Sequence, residues 1–346
     1  GAGRINITAS GTVSVYTGVS DDPLHPASLR PLVFTHSRGK LFLNGHPLSA
    51  LRCRVETRGG FLCLHGMRLR GVLKVDLQPD GLQVINQLPI ESYLYGIIAK
   101  EMPSNWPSNA LEAQAVASRT YALYIKAKNR FLPFDLDATT ASQVYGGYDA
   151  ETPQTNAAVD ATRGRVMTYS GQLILAYFHA NSGGHTENAR NVWRLDLPYL
   201  RGVPDPFSRG VPNGRWDYPL SFALASRRLN QAGLDIGTIH AIEVLSRSAS
   251  GRVLSLGLDT DRGQTVLSAN RFRMLVDAKG IKSTLFHIFP GPSGVRLRGR
   301  GNGHGVGMSQ WGACRMAQAG YSFMDILKTY YPGISLKRLG EASLGR

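Results

Sequence analysis

The residues best suited to chemistry lie in Leu88-Pro-Ile-Glu-Ser-Tyr-Leu-Tyr-Gly-Ile-Ile-Ala-Lys-Glu101-Met-Pro-Ser-Asn-Trp106-Pro107. Its centre is the carboxylate of Glu101, a candidate general acid. Pro89 marks a helix start, and Ile90, Tyr93, Leu94 and Ile97 recur at helical spacing. Pro103 biases Met102 away from helical backbone, so the helix is expected to stop at about Glu101. A carboxylate at that end faces the negative pole of the helix dipole. Beside the aromatic wall of Trp106 it should hold its proton more tightly than a free glutamate, as an acid catalyst must. Position alone also fits an ordinary surface glutamate before a turn.

The element that must hold this corner from the other side is a second helix, Ser108 to Lys126, with Ser108 as its N-cap. It is alanine-rich on most of its surface and should be buried. Gln114 and Arg119 are the polar exceptions. A buried arginine requires an anion, either a structural carboxylate or a substrate group. Two helices joined at a proline elbow, with Glu101 at the elbow, make a catalytic corner.

Two further segments carry polar chemistry. The run Gly299-x-Gly301-x-Gly303-His304-Gly305-Val-Gly307-Met-Ser309-Gln310 has no P-loop lysine and no Gly-x-Gly-x-x-Gly window, which argues against a nucleotide site. Alternating glycines let backbone run close to an adjacent strand or to a sugar chain. His304 is then a substrate contact or proton partner, or a histidine bonding the loop's own backbone. Ser309 and Gln310 equally fit a helix cap and a loop brace before a helix that Gly320 ends. In Phe178-His179-Ala-Asn-Ser182-Gly-Gly-His185-Thr186-Glu187-Asn188, two histidines six apart are too few ligands for a metal, and no cysteine lies near. There is no His-Glu-x-x-His and no nucleophile-elbow serine. Ser182, Thr186 and Asn188 can instead hydrogen-bond sugar hydroxyl or acetamido groups. No cofactor is expected.

The chain has 346 residues, 42% apolar and 18% charged, with a formal net charge of +15 spread along its length. Such a surface attracts polyanions. Without an arginine-rich run or a nucleic-acid-binding motif, nucleic acid is not the expected partner; an anionic cell wall is. No apolar run is long enough to span a bilayer. The opening Gly-Ala-Gly, with no apolar signal core, reads as a mature form from which an export signal has been removed. Cys53 and Cys63 flank the turn signal Thr57-Arg-Gly-Gly60, which can place them on facing strands as a disulfide; two independent buried thiols are the other reading. Cys314 should sit in a helix core.

The class read from the pattern is α+β. Short strands are expected through residues 1–87, helices over about 89–128, and strands again at Arg165–Tyr169 and Leu173–Phe178. Ala241–Leu245 and Val253–Leu258 should pair as a hairpin, and Pro204–Pro219 reads as a long loop or the edge of an insertion.

Glu101-Met-Pro-x-x-Trp-Pro followed by Ala-Leu-x-Ala-Gln-Ala-Val-Ala-x-Arg119-Thr-Tyr-Ala resembles the signature of the stage II sporulation protein D family. Thr140-Ala-Ser-Gln143-Val-Tyr145-Gly-Gly and the two glycine-containing segments above extend the likeness, in order, over roughly residues 65 to 335. The resemblance implies a β-rich region at 1–87, the family's catalytic core at 88–204, a β-containing insertion or second subdomain at 205–298, and a glycine-rich loop with C-terminal helices at 299–346. It implies a lytic transglycosylase in the extracytoplasmic cell envelope acting on peptidoglycan glycan strands, by the same resemblance strands already stripped of stem peptides, with a cell-wall amidase as companion. Protonated Glu101 would donate to the oxygen between N-acetylmuramic acid and N-acetylglucosamine. The resulting carboxylate would take the proton of the muramic C6 hydroxyl as the 1,6-anhydro bond closes. Glu91, roughly 15 Å back along the helix, is too far to assist. Substrate contacts are expected from Arg119, Gln114, Trp106, Gln143, Tyr145, Ser182, Thr186, His304, Ser309 and Gln310. Tyr148, Trp193 and Trp311 are further aromatics for a glycan cleft or for the core. An arginine touching Glu101 would lower its pKa and oppose the acid role. The resemblance implies that some relatives hold a metal beside the His179 motif on cysteine ligands; those thiols are missing here, so no metal is carried over. A non-catalytic amidase-enhancing module and a hydrolase that uses water are the rival readings.

Overall fold

The computed structural model describes residues 3–18, 24, 31–138 and 143–340; Thr140, Ala141 and Ser142 lie outside them. Helices and strands are mixed throughout, and the protein is α+β. The chain divides into two units. One comprises Gly1–Asn105 with Ile125–Arg163, the other Trp106–Tyr124 with Gly164–Arg346.

Ten strands open the first unit: β1 Arg4–Ala9, β2 Thr12–Tyr16, β3 Leu32–Ser37, β4 Lys40–Leu43, β5 His46–Pro47, β6 Arg52–Arg58, β7 Leu62–Leu64, β8 Met67–Leu69, β9 Val72–Gln78 and β10 Gly81–Gln87. They form a six-stranded sheet, β5-β4-β3-β1-β7-β8, and a four-stranded sheet, β10-β9-β6-β2. Alternation decides which side chains meet: Ile5, Ile7, Phe34, Leu41, Val55, Leu73 and Val75 share one buried core, while their strand neighbours face outward.

The chain crosses from one sheet to the other at Ser10-Gly11, between β1 and β2, and again at Gly59-Gly60, between β6 and β7. These corners lie against each other. Ser10 N–H donates to Phe61 O at 3.1 Å, and Phe61 N–H to Ser10 Oγ at 2.9 Å. A Cβ on Gly60 would stand 2.4 Å from the Gly11 nitrogen, so only glycine allows the approach. The same corner decides between the two readings of the cysteine pair. Cys53 lies on β6 and Cys63 on β7, in different sheets, and both are free thiols. The Gly59-Gly60 turn carries the chain across between sheets instead of closing a hairpin. Burial pushes the Cys53 thiol up to about 11, with Asp76 adding to the effect.

Helix α1, Ile90–Glu101, buries Leu94, Ile97 and Ile98. It ends where Pro103 requires: Met102 is extended at φ −132°, ψ 144°, and its N–H still reaches Ile98 O at 2.9 Å. Helix α2, Ser108–Lys128, buries Ala110 through Ala122 with the exception of Glu112. The Pro107 carbonyl accepts from Leu111 N–H at 3.2 Å, so Pro107 holds the cap position and Ser108 is the first helical residue, not the N-cap expected. Helix α3, Pro153–Ala161, is capped by Thr152 and tied to α1 by Tyr95 Oη donating to Asp160 Oδ1 at 2.7 Å.

The second unit continues with β11 Arg165–Tyr169, β12 Gln172–Leu173 and β13 Phe178–His179. The expected strand Leu173–Phe178 is thus only its two ends, because Ile174 to Ala176 are buried without a ladder of their own. Then come α4 Ala189–Trp193, β14 Arg215–Ser221, α5 Phe222–Gln231, β15 Ile239–Arg247, β16 Val253–Thr260, β17 Gly263–Ser268, α6 Ala269–Asp277, β18 Phe286–Gly291, β19 Gly294–Arg300, β20 Met308–Ser309, α7 Gln310–Gln318, α8 Phe323–Tyr330 and β21 Ser335–Arg338. β15, β16 and β17 make an antiparallel sheet that contains the expected hairpin, and β14-β19-β18 make another. Trp216, Leu229, Ile239, Leu256, Phe272, Phe286 and Leu297 fill a single core among these sheets with α5 and α6. The loop after Pro204 ends at Arg215. Pro219 is accommodated in β14 because that strand is an edge of its sheet.

Gly60→Ala forces its Cβ into the Gly11 backbone and should lower stability by roughly 2–3 kcal/mol. Gly3→Ala meets nothing within 4 Å and should change it by less than about 0.5 kcal/mol. Urea denaturation midpoints of the two variants check the difference.

Candidate functional site

The candidate residues fall into two sets, one in each unit. In the first unit Glu101, half-buried, closes α1. The same helix carries Tyr93 and Gly96. Tyr93 Oη donates to Gln143 Oε1 at 3.3 Å, and its ring stacks on Tyr145 with centroids 5.5 Å apart. Tyr145 lies so close to Gly96 that a Cβ there would meet its ring at 2.5 Å. Burial holds the Tyr145 phenol up to about 12, so it stays a neutral donor at physiological pH. Gln143 is 2% exposed. The Gln143 and Tyr145 side chains are therefore set by α1, the helix that delivers Glu101.

In the second unit, two motif segments run side by side. β13 and β20 pair in parallel, Phe178 opposite Met308 and His179 opposite Ser309. Asn181 and Asn302 exchange backbone bonds of 3.0 and 2.8 Å, and Glu187 N–H donates to Gly305 O at 2.7 Å. The alternating glycines of 299–307 thus serve an adjacent strand. A Cβ on Gly307 would fall 2.0 Å from Tyr177 O, at a φ of +69° that disfavours other residues.

Several expected sugar contacts are engaged inside this frame. Ser182 Oγ donates to Asp205 Oδ2 at 2.7 Å, and Tyr330 Oη donates to the other oxygen at 2.9 Å. Ser309 Oγ accepts from Ser182 N–H and from Gly312 N–H, both at 3.2 Å, capping α7. Thr186 Oγ1 accepts from Val203 N–H at 2.8 Å. Gln310 Nε2 donates to Gln114 Oε1 at 3.4 Å, and Gln114 Nε2 to Ser118 Oγ at 3.0 Å. Arg119, wholly buried, donates from Nη1 to Arg165 O at 3.2 Å. Trp106 and Trp311, both partly exposed, pair with centroids 4.8 Å apart.

Sequence reasoning missed the residue that organises these loops. Arg252, in the turn between β15 and β16, is 1% exposed. Its Nη2 donates to Ser182 O at 2.6 Å and its Nη1 to His185 O at 2.8 Å. Its guanidinium occupies the space a Cβ on Gly305 would need, 2.6 Å from that position. Burial lowers its pKa to about 10, against the pull of Glu187, so it remains charged at neutral pH. Glu187 is equally enclosed, accepting from Asn188 N–H, Asn191 Nδ2, Ser248 Oγ and Ser250 Oγ. The Glu-Asn pair within the motif was visible in the sequence. Its arginine partner, some sixty residues later in an unremarked Ser-Gly-Arg turn, carried no such signal.

His304 joins a cluster with Tyr177, Trp193 and His179, at centroid distances of 5.8, 4.9 and 5.4 Å. Its Nδ1 accepts from Val306 N–H at 3.1 Å, while His179 Nδ1 donates to Val306 O at 3.1 Å. Burial lowers both imidazoles, His304 to about 4 and His179 well below its ordinary value. Both rings are neutral at pH 7. His304, Glu187, Asn191, Arg194 and Asn270 line a pocket of about 140 Å³. His185 bonds instead to the Thr186 backbone, and among the described residues no three His, Cys, Asp or Glu side chains converge as a metal site.

Residues 78–169 match the protein family described as stage II sporulation protein, and residues 210–307 match a domain of unknown function, DUF8618. An uncharacterised protein of Brachyspira hyodysenteriae is 37% identical over 282 residues, 81% of this chain and 75% of that protein. The amidase enhancer of Bacillus subtilis is 31% identical over 295 residues, 70% of this chain; the match spans 40% of that longer protein. Stage II sporulation protein D of Bacillus subtilis is 29% identical over 269 residues, 73% of this chain and 76% of its own length.

Two outcomes follow from this geometry. Arg252→Met strips two carbonyls and a buried carboxylate of their cation and should cost roughly 2–4 kcal/mol in urea denaturation. Because the folded state holds His304 at about 4 against an ordinary 6.5, the unfolded chain takes up the proton first as pH falls. Stability should therefore be full above pH 6.5 and decline toward pH 4, and His304→Gln should reduce the proton uptake on unfolding measured in that window.

Proposed function

This chain belongs to the stage II sporulation protein D family, and on that premise we propose that it acts on the cell wall as a peptidoglycan lytic transglycosylase. The observation that carries the reading is Glu101: it is the last residue of α1, cut off by an extended Met102 before Pro103, inside the segment that matches the family. There its carboxyl faces the negative end of the helix dipole, which gives its charge no support.

In the proposed reaction Glu101 gives its proton to the glycosidic oxygen as the bond to muramic C1 breaks. The N-acetylglucosamine hydroxyl departs. The muramic C6 oxygen bonds to C1 from within the same sugar, and its hydroxyl proton returns to Glu101. The residue ends as it began, no water is consumed, and no second carboxylate is required. Tyr145, neutral and stacked on Tyr93, is available as a hydrogen-bond donor or sugar platform in the same unit. The likeness to an amidase enhancer supports an extracytoplasmic place of action beside cell-wall amidases. It also favours a second reading, in which the chain stimulates an amidase without cutting glycan itself.

Mass spectrometry of amidase-stripped glycan strands separates these readings. Wild type should yield 1,6-anhydromuramic ends, and Glu101→Gln should slow their release by about a hundred- to ten-thousand-fold. Reducing ends would instead make the protein a hydrolase. If neither protein cuts and both accelerate an added amidase, the enhancer reading replaces the lyase.

A further inference from the structure

Where α2 ends at Lys128, the chain builds an apolar prominence. Asn129 N–H still donates to Ile125 O at 2.8 Å, and Leu132 N–H to Asn129 O at 2.7 Å, so Arg130 and Phe131 occupy one tight turn before Pro133 stops it. The base of the loop is closed. Asn129 Nδ2 donates to Asp135 O at 2.9 Å, and Lys126 Nζ meets the Asp135 carboxylate at 3.2 Å. Phe134 and Leu136 are half-buried, but Phe131 is 86% exposed and Leu132 54%, with Arg130 and Pro133 exposed beside them. Phe131 is the most exposed large apolar side chain among the described residues. The Arg130 guanidinium lies over its ring, 4.7 Å from the centroid. Lys128 and Arg130 form no ion pair among the described residues, whereas Asp135 is matched by Lys126 and Asp137 is engaged as well.

Scattered apolar residues are ordinary at a surface, but adjacent ones held out by a tied loop call for a partner. The shape narrows what that partner is. A stable protein interface takes about 800 Å² from each side, far more than two side chains supply. A sugar stacks on the face of a ring, and one face of Phe131 already lies under Arg130. A lipid bilayer needs neither a cleft nor a large area. It receives a convex apolar tip among its acyl chains, while cations beside the tip stay with the headgroup phosphates. Phe131 and Leu132 have that form, and Lys128 and Arg130 flank them with unmatched positive charge. We propose that this loop is a membrane-docking tip, which inserts Phe131 and Leu132 into the interface of an anionic phospholipid bilayer with Lys128 and Arg130 on the lipid phosphates. Two apolar side chains alone hold a bilayer weakly, so tip and cations act together and the attachment is reversible. It brings the unit that carries Glu101 to a membrane face, whether the chain cuts glycan or only stimulates an amidase.

Co-sedimentation of the whole chain with vesicles tests this. Vesicles of phosphatidylglycerol and phosphatidylethanolamine in equal parts should bind the protein, phosphatidylcholine vesicles much less, and the difference should shrink as salt rises. A chain of net charge +15 is drawn to any anionic surface, so the deciding variant keeps its charge. Phe131→Ser combined with Leu132→Ser should weaken binding to the anionic vesicles by about tenfold or more. Lys128→Gln combined with Arg130→Gln should weaken it by about tenfold. These side chains are all exposed, so the variants should fold; circular dichroism checks this, and Leu132→Ser alone serves if the double variant does not. Phe131→Trp reports depth: its added fluorescence should shift to the blue with anionic vesicles and be quenched by lipids brominated on their acyl chains. Undiminished binding of the serine variant overturns the proposal and leaves only attraction by net charge. So does an added tryptophan that neither shifts nor is quenched, or a wild type that binds no vesicle. Gel filtration in which the wild type is a dimer and the serine variant a monomer assigns the tip to a second copy of the chain, and likewise overturns it.

Discussion

The burial of one guanidinium sets the arrangement of the second unit. Arg252 has left water, and a cation in that position must be answered by carbonyls and a carboxylate held still. Ser182 and His185 supply the carbonyls, Glu187 the opposing charge, and Gly305 the room for the side chain. The consequence is rigidity in both motif segments. A loop that would otherwise expose polar groups is tied to the turn between β15 and β16, and the Gly-rich run is tied to the loop by backbone bonds. The neutral imidazoles of His179 and His304 belong to the same economy, since a second and third positive charge beside Arg252 would be repelled.

The first unit rests on a different constraint, the close approach of backbone at two sheet-crossing corners. Gly11 and Gly60 let both corners occupy the same place, which fixes the paired sheets and the core between them. Tyr145 packs on that core and against Gly96 of α1, so the position of α1 is referenced to a rigid β scaffold. The general-acid role proposed for Glu101 would benefit from such support, because it depends on a carboxyl placed within hydrogen-bond reach of one oxygen.

The candidate polar residues divide by what they already bond. Ser182, Ser309, Thr186, Gln114 and Gln310 spend hydrogen bonds on one another, on Asp205 or on the backbone, which makes them part of the second unit's own scaffold. Trp106, Trp311, Trp193 and Tyr177 present partly exposed rings, the kind of surface against which sugar faces pack.

Much was legible in the chain itself because the relevant physics is local. Pro103 ends α1 by a clash with its own neighbour, the alanine repeat marks α2 as buried, and apolar alternation marks the β-rich opening and the hairpin at 241–258. The motif order identified the family, since residue types at fixed spacing survive without knowledge of the fold. Other features depend on partners far away in sequence. The crossing at Gly59-Gly60, which separates Cys53 from Cys63, requires the corner at Gly11. Whether alternating glycines admit a sugar or a strand is decided by the strand beside them. Arg252 and Asp205 read as ordinary charged loop residues until the chain encloses them, and a charge's environment is a property of everything packed around it. The sequence by itself determined the end of α1, the strand faces and the family; tertiary structure alone decided which polar groups are buried together, because burial and opposition across sheets are non-local.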